Sequence, residues 1–108
     1  MADAAYDGIG FTRSQLQHAF KHAKDFGVVG NQSNKTLSQF SSAIQAHIDD
    51  VGTQMIRGTY RTMDATHYVN PSTRLNVIQD SSGEFLSGWR LSEKQLKHLL
   101  SDGSLGGG

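Results

Sequence analysis

Cysteine is absent from the 108 residues, so neither disulfides nor thiolate-bound metals can hold this small chain together. A charge imbalance is absent too. Ten basic side chains cancel ten acidic ones, and the total announces no nucleic-acid partner. A local basic patch can still act, because the field in a cleft depends on where charges sit rather than on their sum. No apolar run approaches the roughly 20 residues that cross a bilayer, so no membrane span is expected. The first ten residues lack the basic start and apolar stretch of a secretion signal. Residues 1–10 are expected to be a disordered linker or a cloning remnant. The glycine-rich 103–108 stretch is expected to be a flexible tail. What remains, 11–102, has the length of one domain, and the 36% hydrophobic content suffices for one modest core. It is read as a monomer.

Helical signals come first along the chain. Thr12 followed by Gln15 reads as a capping box, and Gly27 as a stop, with Leu16, Ala19, Phe20 and Ala23 forming an apolar stripe between them. A polar loop at Asn31-Gln32-Ser33-Asn34 leads to a second helix from about Lys35 to about Asp49, whose stripe is Leu37, Phe40, Ile44 and Ile48. Beyond Gly52 the texture changes to β-branched and aromatic stretches at 54–61, 66–69, 75–78 and 84–89. Turn sequences at Asn70-Pro71-Ser72-Thr73 and Asp80-Ser81-Ser82-Gly83 favour an antiparallel meander. A last helix starts at Ser92, capped with Gln95, and is expected to bury Leu96, Leu99 and Leu100. The predicted class is α+β, with N-terminal helices and a C-terminal helix packed on a four-stranded antiparallel sheet, helices on one face.

Of the side chains that can carry chemistry, the five histidines come first, since imidazole exchanges protons near neutral pH. His18 and His22 lie four apart on the first helix, a spacing that also suits a metal, but only Asp25 offers a third ligand and no zinc-protease pattern surrounds them. No metal is therefore expected. At about 100° per residue His18 points away from the apolar stripe and His22 sits at its margin. Lys21, His22 and Lys24 also read as an ordinary solvated helix face. On the last strand, alternation puts Phe85, Ser87 and Trp89 on one face. Trp89 then reads either as a core residue or as a platform for a base, with Ser87 a phosphate donor. Arg61 could clamp a phosphate or pair with Asp64 or Glu84; Tyr68 could stack; His67 suits a packed histidine as well as a substrate contact. His47 and His98, on polar helix margins, receive no role.

Several segments together resemble the colicin D-like nucleases. Phe20-Lys21-His22-Ala23-Lys24-Asp25-Phe26-Gly27 resembles the helix that bears the family's active histidine. Ile56-Arg57-Gly58-Thr59-Tyr60-Arg61, His67-Tyr68-Val69-Asn70-Pro71 and Ser87-Gly88-Trp89-Arg90-Leu91-Ser92 follow in the family's order, over roughly Phe11 to Leu105. The set is similar to toxic cargo domains of bacteriocins and contact-dependent growth-inhibition proteins. The resemblance implies the fold shared by barnase, EndoU nucleases, colicins and RelE. It also implies a ribonuclease toxin domain that cuts transfer RNA in the anticodon loop, is secreted or delivered into the target-cell cytoplasm, and is neutralised by a cognate immunity protein. It places the catalytic histidine on His22, its adjacent lysine on Lys21, and the family's serine and tryptophan on Ser87 and Trp89. A further family lysine falls on Ala19, so part of the phosphate clamp must come from elsewhere, with Lys24 and Arg61 as candidates.

RNA carries its own nucleophile, the 2′-hydroxyl, so the protein need supply only proton transfer and charge stabilisation, with no cofactor. In this reading His22 moves a proton, Lys21 and Arg61 hold phosphate, Ser87 donates a hydrogen bond and Trp89 positions a base. The partner of His22 in acid–base work is open between His67 and Tyr68. The competing classes are a noncatalytic RNA- or protein-binding module and a metal-dependent nuclease.

Overall fold

A computed structural model describes residues 9–106. The elements are α1 (Arg13–Ala19), a 3₁₀ segment (Phe20–Phe26), α2 (Asn34–Asp49), β1 (Gln54–Tyr60), β2 (Met63–Val69), β3 (Leu75–Asp80), β4 (Phe85–Arg90), α3 (Glu93–Asp102) and β5 (Ser104–Leu105). The class is α+β, as expected. The sheet, however, has five strands in the order β4-β3-β2-β1-β5, with β5 parallel to β1 and the other pairs antiparallel.

That fifth strand overturns the flexible tail at its start. Gly103 turns the end of α3 in the left-handed conformation (φ 71°), and Thr59 N–H and Arg61 N–H then donate to Gly103 and Leu105 carbonyls at 2.8 and 2.9 Å. Leu105 is buried. The contact needs glycine opposite: a Cβ at Gly58 would stand 1.7 Å from the Gly103 carbonyl oxygen. The other end differs likewise. Ile9 is buried in the core, and Gly10 exchanges backbone hydrogen bonds with Gly83 and Phe85, so the fold begins before Phe11. Residues 1–8 and 107–108 of the expected linker and tail lie outside the described residues.

The helices start where their caps dictate. Thr12 accepts from Gln15 N–H at 3.1 Å, but the box is only half made, because the Gln15 amide instead donates to Leu86 O at 2.6 Å. Ser33 and Thr36 form a full capping box for α2 inside the predicted loop, with threonine in the usual place of Glu or Gln. Ser92 and Gln95 complete the box of α3. Leu37, Phe40 and Ile44 are buried along α2, and Leu99 along α3, whereas Leu100 is exposed.

Helices cover both faces of the sheet rather than one. Adjacent residues of a strand point to opposite faces: Val77 packs with Leu16, Ala23, Leu37 and Phe40 of the N-terminal elements, and Ile78 with Trp89, Leu91 and Leu99 on the side of α3. The β1–β2 connection is a two-residue turn in which Arg61 and Thr62 take φ of 51° and 69°, a twist that suits a hairpin but favours Asn and Gly. β2 therefore starts three residues earlier than its composition suggests, while β1 ends at Tyr60, one residue short of the expected span.

Candidate active site

β4 is an edge strand, and its outer edge is capped by side chains of the helical segment. Gln15 takes Leu86 O, as above, and the Asp25 carboxylate accepts Arg90 N–H at 3.0 Å. The Arg90 guanidinium returns to Asp25 O and Thr73 O at 3.3 and 3.2 Å. This double clamp lays the 3₁₀ segment along β4 and brings His22 to Trp89, with ring centroids 5.6 Å apart and planes 35° from parallel.

A bulge in the same strand re-aims its side chains. Ile78 pairs with Ser87 but Gln79 pairs with Phe85, so Leu86 is the extra residue. The simple alternation of Phe85, Ser87 and Trp89 is thereby broken. Phe85 packs with the N-terminal helices, and Leu86 and Trp89 with the α3 side. Tyr60, at the end of β1, meets Trp89 with centroids 6.1 Å apart. The result is a narrow cleft of about 120 Å³ lined by Gln15, His18, Ala19, Lys21, His22, Tyr60, Arg61, Leu86 and Ser87.

Four of the expected residues thus share one wall or mouth: His22, Lys21, Ser87 and Arg61. The Arg61 guanidinium lies 5.2 Å from the centre of the Tyr60 ring, a cation–π contact at the cleft mouth. Trp89 stands directly behind His22. It is only 5% exposed, and its indole N–H reaches Gln95 Oε1 at 3.5 Å. The ring is therefore a buried plate under His22 and offers little open face for a base. Burial pushes the His22 imidazole below the usual histidine value of 6.5 and Lys21 pushes it further, with Asp25 pulling the other way. The site therefore favours a neutral ring, the form that accepts a proton.

The remaining candidates fall elsewhere. Lys24 lines a neighbouring groove with Phe20, Val28 and Gly30, which Lys21 borders from the cleft side. His67 is fully buried in β2: its Nε2–H donates to Thr59 O at 2.9 Å, and Nδ1 lies 3.1 Å from the Asn76 amide nitrogen. Burial pushes its pKa down. A substrate cannot reach it, and its role is structural. Tyr68 points to the opposite face, donating to Gln79 Oε1 at 2.9 Å, over a broad groove of about 720 Å³ that includes Met55, Arg57 and Thr66 but no imidazole. His47 is buried too, held to Tyr68 O at 2.8 Å. Among the described residues no group of three or more histidine or carboxylate side chains is placed to hold a metal, and Asp25 is committed to β4.

Gln15, His18 and Tyr60 also line the cleft, although the sequence reads Gln15 as a helix cap and His18 as half of a histidine pair facing away from the stripe, and gives Tyr60 no role at this site. The chain passes from α-helical to 3₁₀ winding after Ala19, which changes the angle between His18 and His22 from that of a continuous α-helix. Tyr60 is separated from Trp89 by 29 positions and only the curl of the sheet unites them.

The chain is similar to known proteins in sequence and in fold. A family model described as Colicin D matches residues 15–99. Colicin-D of Escherichia coli is 44% identical over 84 residues, which cover 76% of this chain and 12% of the relative, so the chain spans only a small part of that protein's length. A ribonuclease from Escherichia coli, solved in complex with its inhibitor protein, superposes with a TM-score of 0.73 at 38% identity, covering 84% of this chain and 100% of the other.

Proposed function

The chain belongs to the colicin D family, and on that premise we propose that it is the toxic endoribonuclease domain of a bacteriocin-type protein. It cleaves transfer RNA in the anticodon loop by attack of a 2′-hydroxyl on the adjacent phosphate, needs no metal, acts in the cytoplasm of the target cell and is neutralised by a cognate immunity protein. The observation that carries this reading is the cleft in which His22, Lys21, Ser87 and Arg61 converge on a space too narrow for a folded helix of RNA but open to a splayed phosphodiester.

His22, biased to its neutral form, takes the proton from the 2′-oxygen. Lys21 and Arg61 face the phosphate on which charge develops, and Ser87 adds a hydroxyl donor. Trp89 is a positioning residue, fixing the plane of the His22 ring from behind. Arg61 is better placed than Lys24 to supply the cation missing at Ala19, because it borders the same cleft. The immunity protein is expected to occlude this cleft with an acidic surface facing Lys21, Lys24 and Arg61, which also speeds encounter.

The test is incubation of the purified chain with bulk transfer RNA in excess chelator. Fragments ending in a 2′,3′-cyclic phosphate are expected. Cleavage only after metal is added assigns the metal-dependent class, and intact RNA under both conditions assigns a binding module.

A further inference from the structure

A 2′-hydroxyl attack moves two protons: one leaves the 2′-oxygen, and one must reach the departing 5′-oxygen. His22 accounts for the first. Both residues that could have supplied the second from the sequence, His67 and Tyr68, are removed by the fold, one fully buried and one on the opposite face. The cleft offers a different group. His18, on the last turn of α1, is exposed and lines the same 120 Å³ space as His22, Ser87 and Arg61. No hydrogen bond or ion pair holds its ring among the described residues, so both nitrogens are available to substrate. The other polar side chains there are an amide, a lysine, a phenol, an arginine and a hydroxyl, none of which is a residue type that exchanges its proton readily near neutral pH.

We propose that His18 is a second catalytic residue, the general acid that protonates the 5′-oxygen leaving group. The inference rests on the ribonuclease reading above. In the step, His22 takes the 2′-hydroxyl proton as the 2′-oxygen–phosphorus bond forms. The phosphorus–5′-oxygen bond breaks, and the proton carried by His18 passes to the 5′-oxygen. The products are a 2′,3′-cyclic phosphate and a 5′-hydroxyl, with His22 left protonated and His18 neutral, to be reset by exchange with water. The pairing also gives a chemical reason for two imidazoles four residues apart without a third metal ligand.

Among the described residues, the charged and titratable groups that face this pair are Lys21 and Asp25 on the 3₁₀ segment, Tyr60 at the end of β1 and Arg61 in the turn after it; β4 contributes only Leu86 and Ser87 to the cleft. The neutral form of one histidine and the protonated form of the other are needed together, so the rate should fall on both the acid and the alkaline side.

The experiment compares wild type, His18→Gln and His22→Ala on a transfer RNA whose cut site has first been mapped with the wild-type domain. The same RNA is then prepared with sulfur replacing the bridging 5′-oxygen at that site, a leaving group that departs without a proton. On the ordinary RNA His18→Gln is expected to lose about 10²-fold or more in kcat and to lose the alkaline fall of the pH profile. On the sulfur substrate it should recover to within a few-fold of wild type, while His22→Ala stays impaired on both. Near-wild-type turnover of His18→Gln on ordinary RNA overturns the proposal, as does a loss of equal size on the sulfur substrate. Either result leaves the ribonuclease reading standing, whereas a wild-type domain that cuts no transfer RNA overturns both. His18 is exposed and outside the core, so matching melting curves are expected for the glutamine variant and serve as the folding control.

Discussion

Replacing Trp89 separates two roles that its sequence position leaves open. The side chain is 5% exposed and packed against His22, Tyr60 and the cluster that holds Leu91 and Leu99. Truncating a buried tryptophan to alanine costs about 3–5 kcal/mol in lost transfer energy and cavity. A domain of this size has roughly 5–15 kcal/mol in total. Trp89→Ala should therefore lower the melting temperature by more than about 10 °C. Trp89→Phe keeps an aromatic plate behind His22 and loses the long bond to Gln95, which together should cost roughly 1–2 kcal/mol. The assay is thermal melting by circular dichroism, combined with kcat and KM on transfer RNA. If Trp89 orients His22, the phenylalanine variant loses kcat modestly with KM unchanged. A variant that melts like wild type yet binds RNA many-fold more weakly would refute the buried-plate reasoning and restore a direct base contact.

Four further outcomes follow from the same geometry. Asp25→Asn removes the group that raises the His22 pKa, so the acid limb of kcat/KM against pH should move to lower pH; a move upward or none contradicts the electrostatic reading. His67 and His47 have folded pKa values below those of the unfolded chain, so their contribution to stability is fully present above about pH 6.5. It is lost as pH falls through that value toward the folded pKa, and denaturant melts from pH 7.5 to 5 should show the decline, smaller in His67→Gln. Lys21→Ala should reduce cleavage of transfer RNA by tenfold or more while Lys24→Ala stays near wild type, since only Lys21 borders the cleft; equal sensitivity contradicts that placement. With the cognate immunity protein in hand, Lys21→Glu should slow association and rising salt should weaken the wild-type complex, whereas salt-insensitive binding points to an inhibitor seated elsewhere.

The legible parts of the molecule were those governed by local rules. The stripe of Leu37, Phe40 and Ile44, the Ser92–Gln95 box and the Gly27 stop each depend on neighbours a few residues away, and each stands where the pattern puts it. Family resemblance and helix position put His22 and Lys21 together on the first helical segment, and both line the cleft. The misplaced features depend on distant partners. Leu105 becomes a strand because Gly58 leaves room for it, a fact 47 positions away. The Arg61-Thr62 turn adopts a glycine-like backbone with neither glycine nor asparagine, so no turn signal marks it. His67 and Tyr68 are neighbours in one strand, and only the layering of helices on both faces decides that one is sealed in the core and the other opens to the far side. The β4 bulge, invisible in the alternation of Phe85 to Trp89, is what keeps Leu86 and Trp89 on one side of the sheet while Phe85 turns to the other.

Of the cleft residues, His22 is the one whose loss bears most directly on cleavage. Its ring is half-buried at the cleft wall and contributes little core volume, so His22→Ala should melt close to wild type. Single-turnover cleavage of transfer RNA in chelator, read by the yield of 2′,3′-cyclic phosphate ends, should fall by about 10²–10⁴-fold in this variant. A folded His22→Ala domain that produces those ends at near the wild-type rate would contradict the account.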